Sequence, residues 1–405
     1  MTPIAGPASE WPAALDIGAE MRSGWRPVPF REFVLKLHGR CDLACDYCYM
    51  YTLADPWRGR PASMPRPVID GACRRIAEHA AGHGLDAVDV VLHGGEPLLA
   101  GPERIGYVAT TLRSDLPAGT RLTLRTQTNG VRLDEPMLRV LARHRIRVGV
   151  SLDGGRPDHD RHRRRRDGRG SFDEVSAGLR RLISDHPELF SGLLCTVDLR
   201  NDPVATYQAL LEFSPPAVDF LLPHGNWSVP PPGRDATGTG TPYGDWLAAV
   251  FDRWSAPARR ETTVRLFQEI LHLLLGGASR SESVGLSPVA VLVLETDGTM
   301  EQVDTLRSAY PGAVATGLNV ATDSFDAALT HPGIVARQIG LRALSGTCLA
   351  CRWQRVCGGG YYPHRYRRGS GFRNPSVYCP DLTRLIEHVY RRLRSDLLAR
   401  AEHPC

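Results

Sequence analysis

The sequence predicts an α/β protein, a parallel sheet wound into a six-unit partial barrel and followed by a smaller cysteine-bearing unit. Two observations predict it. Short apolar, β-branched runs alternate with helix-like runs from residue 30 to about 228, as repeated βαβ units require. Seven of the ten cysteines fall into two tight groups, one after the first strand and one near the C-terminal end. The length of 405 residues suits two or three domains. A composition of 42% hydrophobic and 23% charged residues is that of a globular chain.

Residues 1–29 hold five prolines and little periodicity, and read as an irregular arm. Strands are expected at 33–37, 88–92, 121–126, 147–152, 192–197 and 218–222, with helices near 67–83, 102–115, 134–144, 171–185 and 202–213. Right-handed crossovers would make the sheet parallel and place the chemistry at the C-terminal ends of the strands. An eight-stranded barrel would need two more units. The stretch 230–241, rich in Pro, Gly and Thr, reads as a linker before helices near 242–256 and 263–276. A strand at 289–294 and a hairpin turn at 295–299 follow. Leu385, Ile386, Val389, Leu393 and Leu397 mark an amphipathic closing helix. The expected units are therefore 1–29 (arm), 30–228 (barrel), 229–285 (linker and bridging helices) and 286–405 (second cysteine unit).

A net charge of +5 is small for this length and predicts no nucleic-acid surface. No apolar run is long enough to cross a membrane, and the N-terminus has no secretion-signal pattern, so a cytoplasmic enzyme is expected. In a reducing compartment, clustered cysteines point to metal ligation rather than disulfides. Cys73, Cys195 and Cys405 stand apart and read as packing or spare thiols.

The first group, Cys41-x3-Cys45-x2-Cys48, supplies three thiols. Three is one short of a tetrahedral zinc set, but it suits a 4Fe-4S cluster with one iron open to a small molecule. The second group, Cys348-x2-Cys351-x5-Cys357-x21-Cys379, supplies four, which fits structural zinc and a cluster equally well. Polar groups also end the other strands: His93-Gly94-Gly95-Glu96-Pro97, the 126–130 run with Thr128 and Asn129, and Ser151 with Asp153. Glycines at 94 and 95 would let backbone approach a ligand, and Glu96 would receive an ammonium group. The basic run 161–166 reads as a solvated face, apart from Arg163.

In order and spacing, these motifs resemble the radical SAM superfamily, and the second cysteine group resembles its C-terminal SPASM domain. The resemblance implies a (β/α)6 TIM-type partial barrel with a SPASM-like auxiliary iron-sulfur domain. Cys41, Cys45 and Cys48 would hold a 4Fe-4S cluster that binds S-adenosyl-L-methionine. Tyr47, Gly94, Gly95, Glu96, Thr128, Asn129, Ser151, Asp153 and Arg163 would bind the S-adenosyl-L-methionine itself. Tyr47 would lie near the adenine, and Arg163, the end of a His-x3-Arg that starts at His159, near the methionine carboxylate. Cys348, Cys351, Cys357 and Cys379 would hold one auxiliary 4Fe-4S cluster.

The family's second auxiliary set is missing. Residues 282–288 contain no cysteine, and Val303 and Tyr361 stand where two more would be, a loss expected to leave room near the substrate. Asp304 matches the aspartate that acts as a base in sulfatase-maturing relatives, with an ordinary surface-loop aspartate as the alternative.

The wording of 54–61, 220–227, 295–298, 357–362 and 374–379 looks like the FxsB-type maturases, several of which form three-residue cyclophanes in ribosomally made precursor peptides. That implies a C–C crosslink between an aromatic ring carbon and a side-chain β-carbon, with Asp304 taking the proton. His224, Asn226 and Trp227 would line the peptide site, although Trp227 fits a core position equally well. An external donor such as flavodoxin or ferredoxin would supply electrons. The rivals are another peptide modification (thioether or ether crosslink, epimerisation, formylglycine formation) and a non-catalytic zinc-binding adaptor.

Overall fold

The computed structural model describes residues 10–52, 59–234 and 239–402. Cys405 and parts of the 1–29, 54–61 and 230–241 stretches lie outside the described residues.

Six parallel strands form the barrel wall in sequence order: β1 (Glu32–His38), β2 (Ala87–Gly94), β3 (Arg121–Thr128), β4 (Arg147–Ser151), β5 (Phe190–Thr196) and β6 (Ala217–Leu221). The strand period of two separates their faces. Phe33, Leu35 and Leu37 of β1 and Val88, Val90 and Leu92 of β2 point outward into the helix layer and are fully buried. Lys36, paired in register with His93, takes the alternate face. The intervening helices agree with the sequence pattern: Arg66–Gly82, Gly101–Asp115, Glu135–Arg143, Phe172–Asp185 and Pro203–Leu211. Asp134 and Asp202 cap two of them by accepting a backbone N–H of the first turn.

The sheet does not end where the barrel units do. A two-residue strand, β7 (Thr263–Val264), pairs with β6 at one edge. At the other, β8 (Val291–Leu294) runs parallel to β1, and β9 (Thr299–Glu301) and β10 (Ala315–Asn319) extend it antiparallel. The result is one ten-stranded sheet with β1 third from neither edge but inside it, flanked by β8 and β2. The expectation that residues from 286 onward stand apart from the barrel is corrected by the β1–β8 pairing. Six consecutive apolar residues made 289–294 legible as a strand, but nothing local named its partner. The arm is also more ordered than expected, since Ile17–Arg22 is a helix capped by Asp16.

The closing helix runs from Cys379 to Glu402 and packs on Pro242–Ser255 and Arg265–Leu274. Leu385, Ile386 and Val389 are buried, whereas Leu397 is exposed, so the apolar stripe outlasts its partner helices.

Candidate active site and cofactor residues

The loop after β1 carries Cys41, Cys45 and Cys48, all half-buried and none in a disulfide. It is held down from the β2 end. A Cβ on Gly94 would lie 2.2 Å from the His38 carbonyl oxygen, and one on Gly95 would lie 1.7 Å from the Tyr51 hydroxyl and 2.6 Å from the Arg40 carbonyl oxygen. The two glycines therefore admit the cysteine loop itself at close range.

Burial pushes the Cys41 thiol up to about 12, with Glu96 adding to it, and the Cys45 thiol up to about 11 despite the opposing charge of Arg163. Three thiols so placed ionise only against a cation, which is what a cluster iron provides. No three sulfurs of either cysteine group come within 4.8 Å of one another.

Around this loop stand the strand-end residues. Glu96 is almost fully buried and accepts from Leu98 N (3.0 Å), Thr128 Oγ1 (2.7 Å) and Asn129 N (2.8 Å). Burial lifts its carboxyl to about 7, and no side-chain cation offsets this. A buried carboxylate so oriented fits an incoming ammonium. Asn129 Nδ2 donates to Asp42 Oδ1 (2.9 Å) and lies 3.6 Å from Cys41 Sγ, joining β3 to the cysteine loop. Ser151, at the end of β4, receives Gln127 Nε2 at 3.0 Å.

Asp153 is the hub of the far side. It accepts from Arg163 Nε (2.8 Å), Thr196 N (2.9 Å) and the Tyr47 hydroxyl. Burial alone would raise its carboxyl, but Arg163, His159 and Tyr47 together hold it below the usual range. Arg163 thus already engages a carboxylate of the protein, and it lies over the Tyr47 ring at 5.5 Å. His159 is fully buried between Asp153 N and Ser171 Oγ and acts as a brace. A cavity of about 440 Å³ opens beside these groups, lined by Tyr47, Asp153, Thr196, Val197 and Leu199, and it has room for a nucleoside.

The 161–166 run is not only a solvated face. Arg165 pairs with Asp42 (3.3 Å) and Glu174, Arg166 donates to the Cys41 carbonyl (3.0 Å), and Arg164 O receives Ala44 N (2.7 Å). The basic segment clamps the cysteine loop from above. Sequence reasoning missed this because a charge block carries no mark of the acidic partner, here Asp42, that lies far along the chain.

On the inner face, Lys36 is fully buried and places Nζ 2.6 Å from Asp304 Oδ2, with His93 Nδ1 at 3.8 Å from the same oxygen. Asp304 reaches this position from a single-turn helix, Asp304–Ser308, that β9 leads into. It is buried, which removes the surface-loop alternative. Desolvation would raise its carboxyl, but Lys36, Arg307 and His93 hold it below the usual carboxylate range. Its Oδ1 is buried without a hydrogen-bond partner, and so is His93 Nδ1.

Tyr49 and His224 meet edge to face at 4.7 Å, and His224 lies 6.2 Å from His364. His224 Nδ1 and His364 Nε2 are likewise buried and unpartnered. Asn226 and Trp227 are placed differently. Asn226 is fully buried and spends its amide on Ser308 O and on the N–H groups of Ser228 and Val229. Trp227 donates to Pro375 O (2.7 Å) and lies under Arg367. Both tie the loop after β6 to the C-terminal unit, Asn226 fully buried and Trp227 half-buried.

The second cysteine group converges. Burial pushes Cys357 up to about 12, with Cys379 and Cys348 adding to it, and Cys379 is raised by burial and then by Cys348 and Cys351. Gly358 takes the left-handed conformation (φ 61°), and a Cβ there would lie 1.7 Å from Gly285 O, so only glycine fits. Arg365, buried nearby, donates to Gly358 O and Gly360 O (2.6 Å each) and adds a cation beside the thiols.

The missing cluster set leaves no room. Glu282 is paired with Arg337 at 2.6 Å, Val303 packs with Leu306 and Tyr362, and the Tyr361 hydroxyl meets Thr305 Oγ1 at 2.5 Å. The cavity remaining beside Glu282 and Arg337 is about 40 Å³.

Comparisons with known proteins agree with this geometry. Residues 35–193 match the family model of the radical SAM superfamily. The chain is 24% identical over 369 residues, 87% of its length and 94% of the relative's, to the cysteine-type anaerobic sulfatase-maturating enzyme of Clostridium perfringens. It is 25% identical over 365 residues to the serine-type enzyme of Klebsiella aerogenes, covering 88% of this chain and 84% of the relative. Among solved structures, anSMEcpe with bound AdoMet superposes with a TM-score of 0.77 at 21% identity, over 90% of this chain and 98% of the other. SuiB of Streptococcus suis bound to its precursor peptide SuiA does so at 0.54 and 14%, over 89% and 78%. The family match spans the loop of Cys41, Cys45 and Cys48 and the strand ends bearing Glu96 and Asp153, so residues 35–193 form a radical SAM domain, and the chain is an enzyme that uses S-adenosylmethionine and a 4Fe-4S cluster.

Proposed function

We propose that this enzyme is a peptide maturase that removes two electrons and two hydrogens from its substrate. The observation that carries the reading is the buried Lys36–Asp304 pair, with Asp304 Oδ1 left unpartnered on the inner side of the sheet. S-adenosylmethionine on the reduced cluster supplies, when bound, a 5′-deoxyadenosyl radical for hydrogen abstraction.

The chain's own residues do the rest. Glu96 holds the ammonium of the cofactor, Tyr47 and the 440 Å³ cavity beside it hold the adenosine, and Asp153 fixes Tyr47 and Arg163 in place. Asp304, kept ionised by Lys36, takes the proton that leaves the substrate. His93 and His224, both kept neutral by burial, offer hydrogen bonds to a peptide without adding charge. Cys348, Cys351, Cys357 and Cys379 hold a single auxiliary cluster, and the filled space at Glu282, Val303 and Tyr361 supports a count of one.

The finer reading is a C–C crosslink of the cyclophane kind, from an aromatic ring carbon to a β-carbon of a precursor peptide, and it rests on the FxsB-like wording of the chain. A second reading, oxidation of a cysteine or serine to formylglycine, is favoured by the sulfatase-maturating relatives. An encoded neighbouring peptide incubated with the reconstituted enzyme tests both by mass spectrometry. Crosslinking and serine oxidation each remove about two daltons, since each takes two hydrogens. A loss that vanishes when the aromatic partner becomes Ala, with no backbone fragments between the joined residues, supports the crosslink. A product trapped by a hydrazine supports the aldehyde, and an unmodified peptide beside released 5′-deoxyadenosine counts against that substrate.

A further inference from the structure

We propose that His79, His83 and Asp326 form a binding site for one divalent transition metal of the zinc class, which joins the barrel to the C-terminal unit. His79 lies in the last turn of the helix Arg66–Gly82 and His83 one turn further on, so the two imidazoles share a face. Asp326 comes from the first turn of the short helix Phe325–Leu329, on the far side of the β8–β10 extension. His79 Nδ1 and His83 Nε2 both converge on Asp326 Oδ1, at 3.1 and 2.8 Å, and the imidazole centroids are 4.4 Å apart. All three ligand atoms lie within 4.8 Å of one another. Zinc bonds of about 2.0–2.1 Å in a tetrahedron set ligands roughly 3.3 Å apart, close to the two distances to Asp326 Oδ1.

The ligand types select the metal class. Two imidazoles and one carboxylate suit zinc and its neighbours rather than magnesium or calcium. His79 is 4% exposed and wedged among the rings of Phe30, Phe33 and Phe325 at 5.7, 6.1 and 5.9 Å, which fixes its orientation before any ion arrives. The Asp326 side chain is 62% exposed, leaving the remaining coordination positions to water. The one other cluster with ligand spacing among the described residues, Glu295, Glu301 and Asp304, is already met by cations. Arg60 reaches Glu301 at 2.8 Å, Arg307 reaches Glu295 at 2.9 Å, and Lys36 reaches Asp304. Among the described residues, no Lys or Arg forms an ion pair with Asp326.

The test uses the enzyme with its iron-sulfur clusters loaded, so that neither cysteine group is free to take zinc. After equilibration with Zn²⁺ and removal of the unbound ion, zinc and iron are counted together. The wild type should keep about one zinc per chain. His83→Ala and Asp326→Asn should each lower zinc retention at least tenfold with iron unchanged, and Zn²⁺ should raise the melting temperature of the wild type only. Wild-type protein that keeps no zinc, or variants that keep as much, overturn the proposal. If the variants also lose iron, cobalt substitution of the wild type decides. Intense visible d–d bands of a tetrahedral nitrogen–oxygen site support the assignment, and the pale spectrum of the aquo ion refutes it.

Discussion

At the mouth of the barrel, three thiols share their surroundings with Glu96, Asp153 and Arg163, and a nucleoside-sized cavity opens beside them. Under the closing helix, four thiols share theirs with backbone carbonyls and the buried guanidinium of Arg365. The first set is completed by something from outside the chain, and the second is complete in itself. An incomplete set invites chemistry, whereas a complete one holds structure or passes electrons. The same contrast appears in the polar groups. Around Asp304, His93, His224 and His364, buried atoms wait without partners, while the vacated cluster position is closed by Glu282, Arg337, Thr305 and Tyr361.

The largest effect should come from the open set. Replacing Cys41, Cys45 and Cys48 together by Ala should abolish cleavage of S-adenosylmethionine and lower the iron content from about eight to about four per chain. Full iron retention in that variant, measured after anaerobic reconstitution, would erase the distinction between the two groups. Next comes Asp304→Asn, which should leave 5′-deoxyadenosine release intact and lower product formation roughly 10²- to 10⁴-fold, as loss of a proton acceptor does. Equal product yield from variant and wild type would return Asp304 to a purely structural role.

A smaller effect concerns pH. Burial holds the Glu96 carboxyl near about 7 before ligand arrives, so the ammonium must displace a proton in acid but not in base. Affinity for S-adenosylmethionine should therefore rise roughly tenfold between about pH 6 and pH 8 in equilibrium titrations. Glu96→Gln should bind more weakly and lose that slope, and a slope that survives the substitution assigns it elsewhere. Folding responds with the opposite sign. A carboxyl whose pKa is raised on folding stabilises the ligand-free protein at low pH, and that contribution is lost as pH climbs through 7. The smallest effect is expected at the seam: Trp227→Phe deletes the bond to Pro375 O and should cost about 1 kcal/mol of stability with turnover unchanged. A raised KM for peptide would return Trp227 to the substrate site.

What could be read from the chain follows from the range of each signal. Periodicity and capping are local, so the six barrel strands and the helices between them agree with the sequence pattern to within a few residues. The cysteine spacings are local as well. Glu96 and Asp153 were legible because each ends a strand, where an α/β barrel puts its polar work. Lys36 was not, because one lysine in an apolar strand gives no sign of a carboxylate that arrives from Asp304. That Arg40 and Tyr51 crowd Gly95 was not legible either, since a glycine announces a close approach but not its source. The brace formed by Asn226 was hidden for the same reason. Its partner Ser308 lies in a segment whose position depends on β8 finding β1.

That pairing also sets when the enzyme becomes whole. Glu32 near the start of the chain lies beside Val291, more than two thirds of the way along it, so the strand that leads into the cysteine loop has one edge bare until most of the polypeptide has been made. Contacts of such long sequence separation form late, because loop-closure entropy must be overcome first. A nascent barrel would offer three thiols and an unclaimed Lys36 ammonium without the aspartate that later meets it. The cysteine loop and the aspartate proposed as proton acceptor would thus be brought together by a late stage of folding, and a chain cut short before Val291 should be a cofactor binder with no means of finishing the proposed reaction.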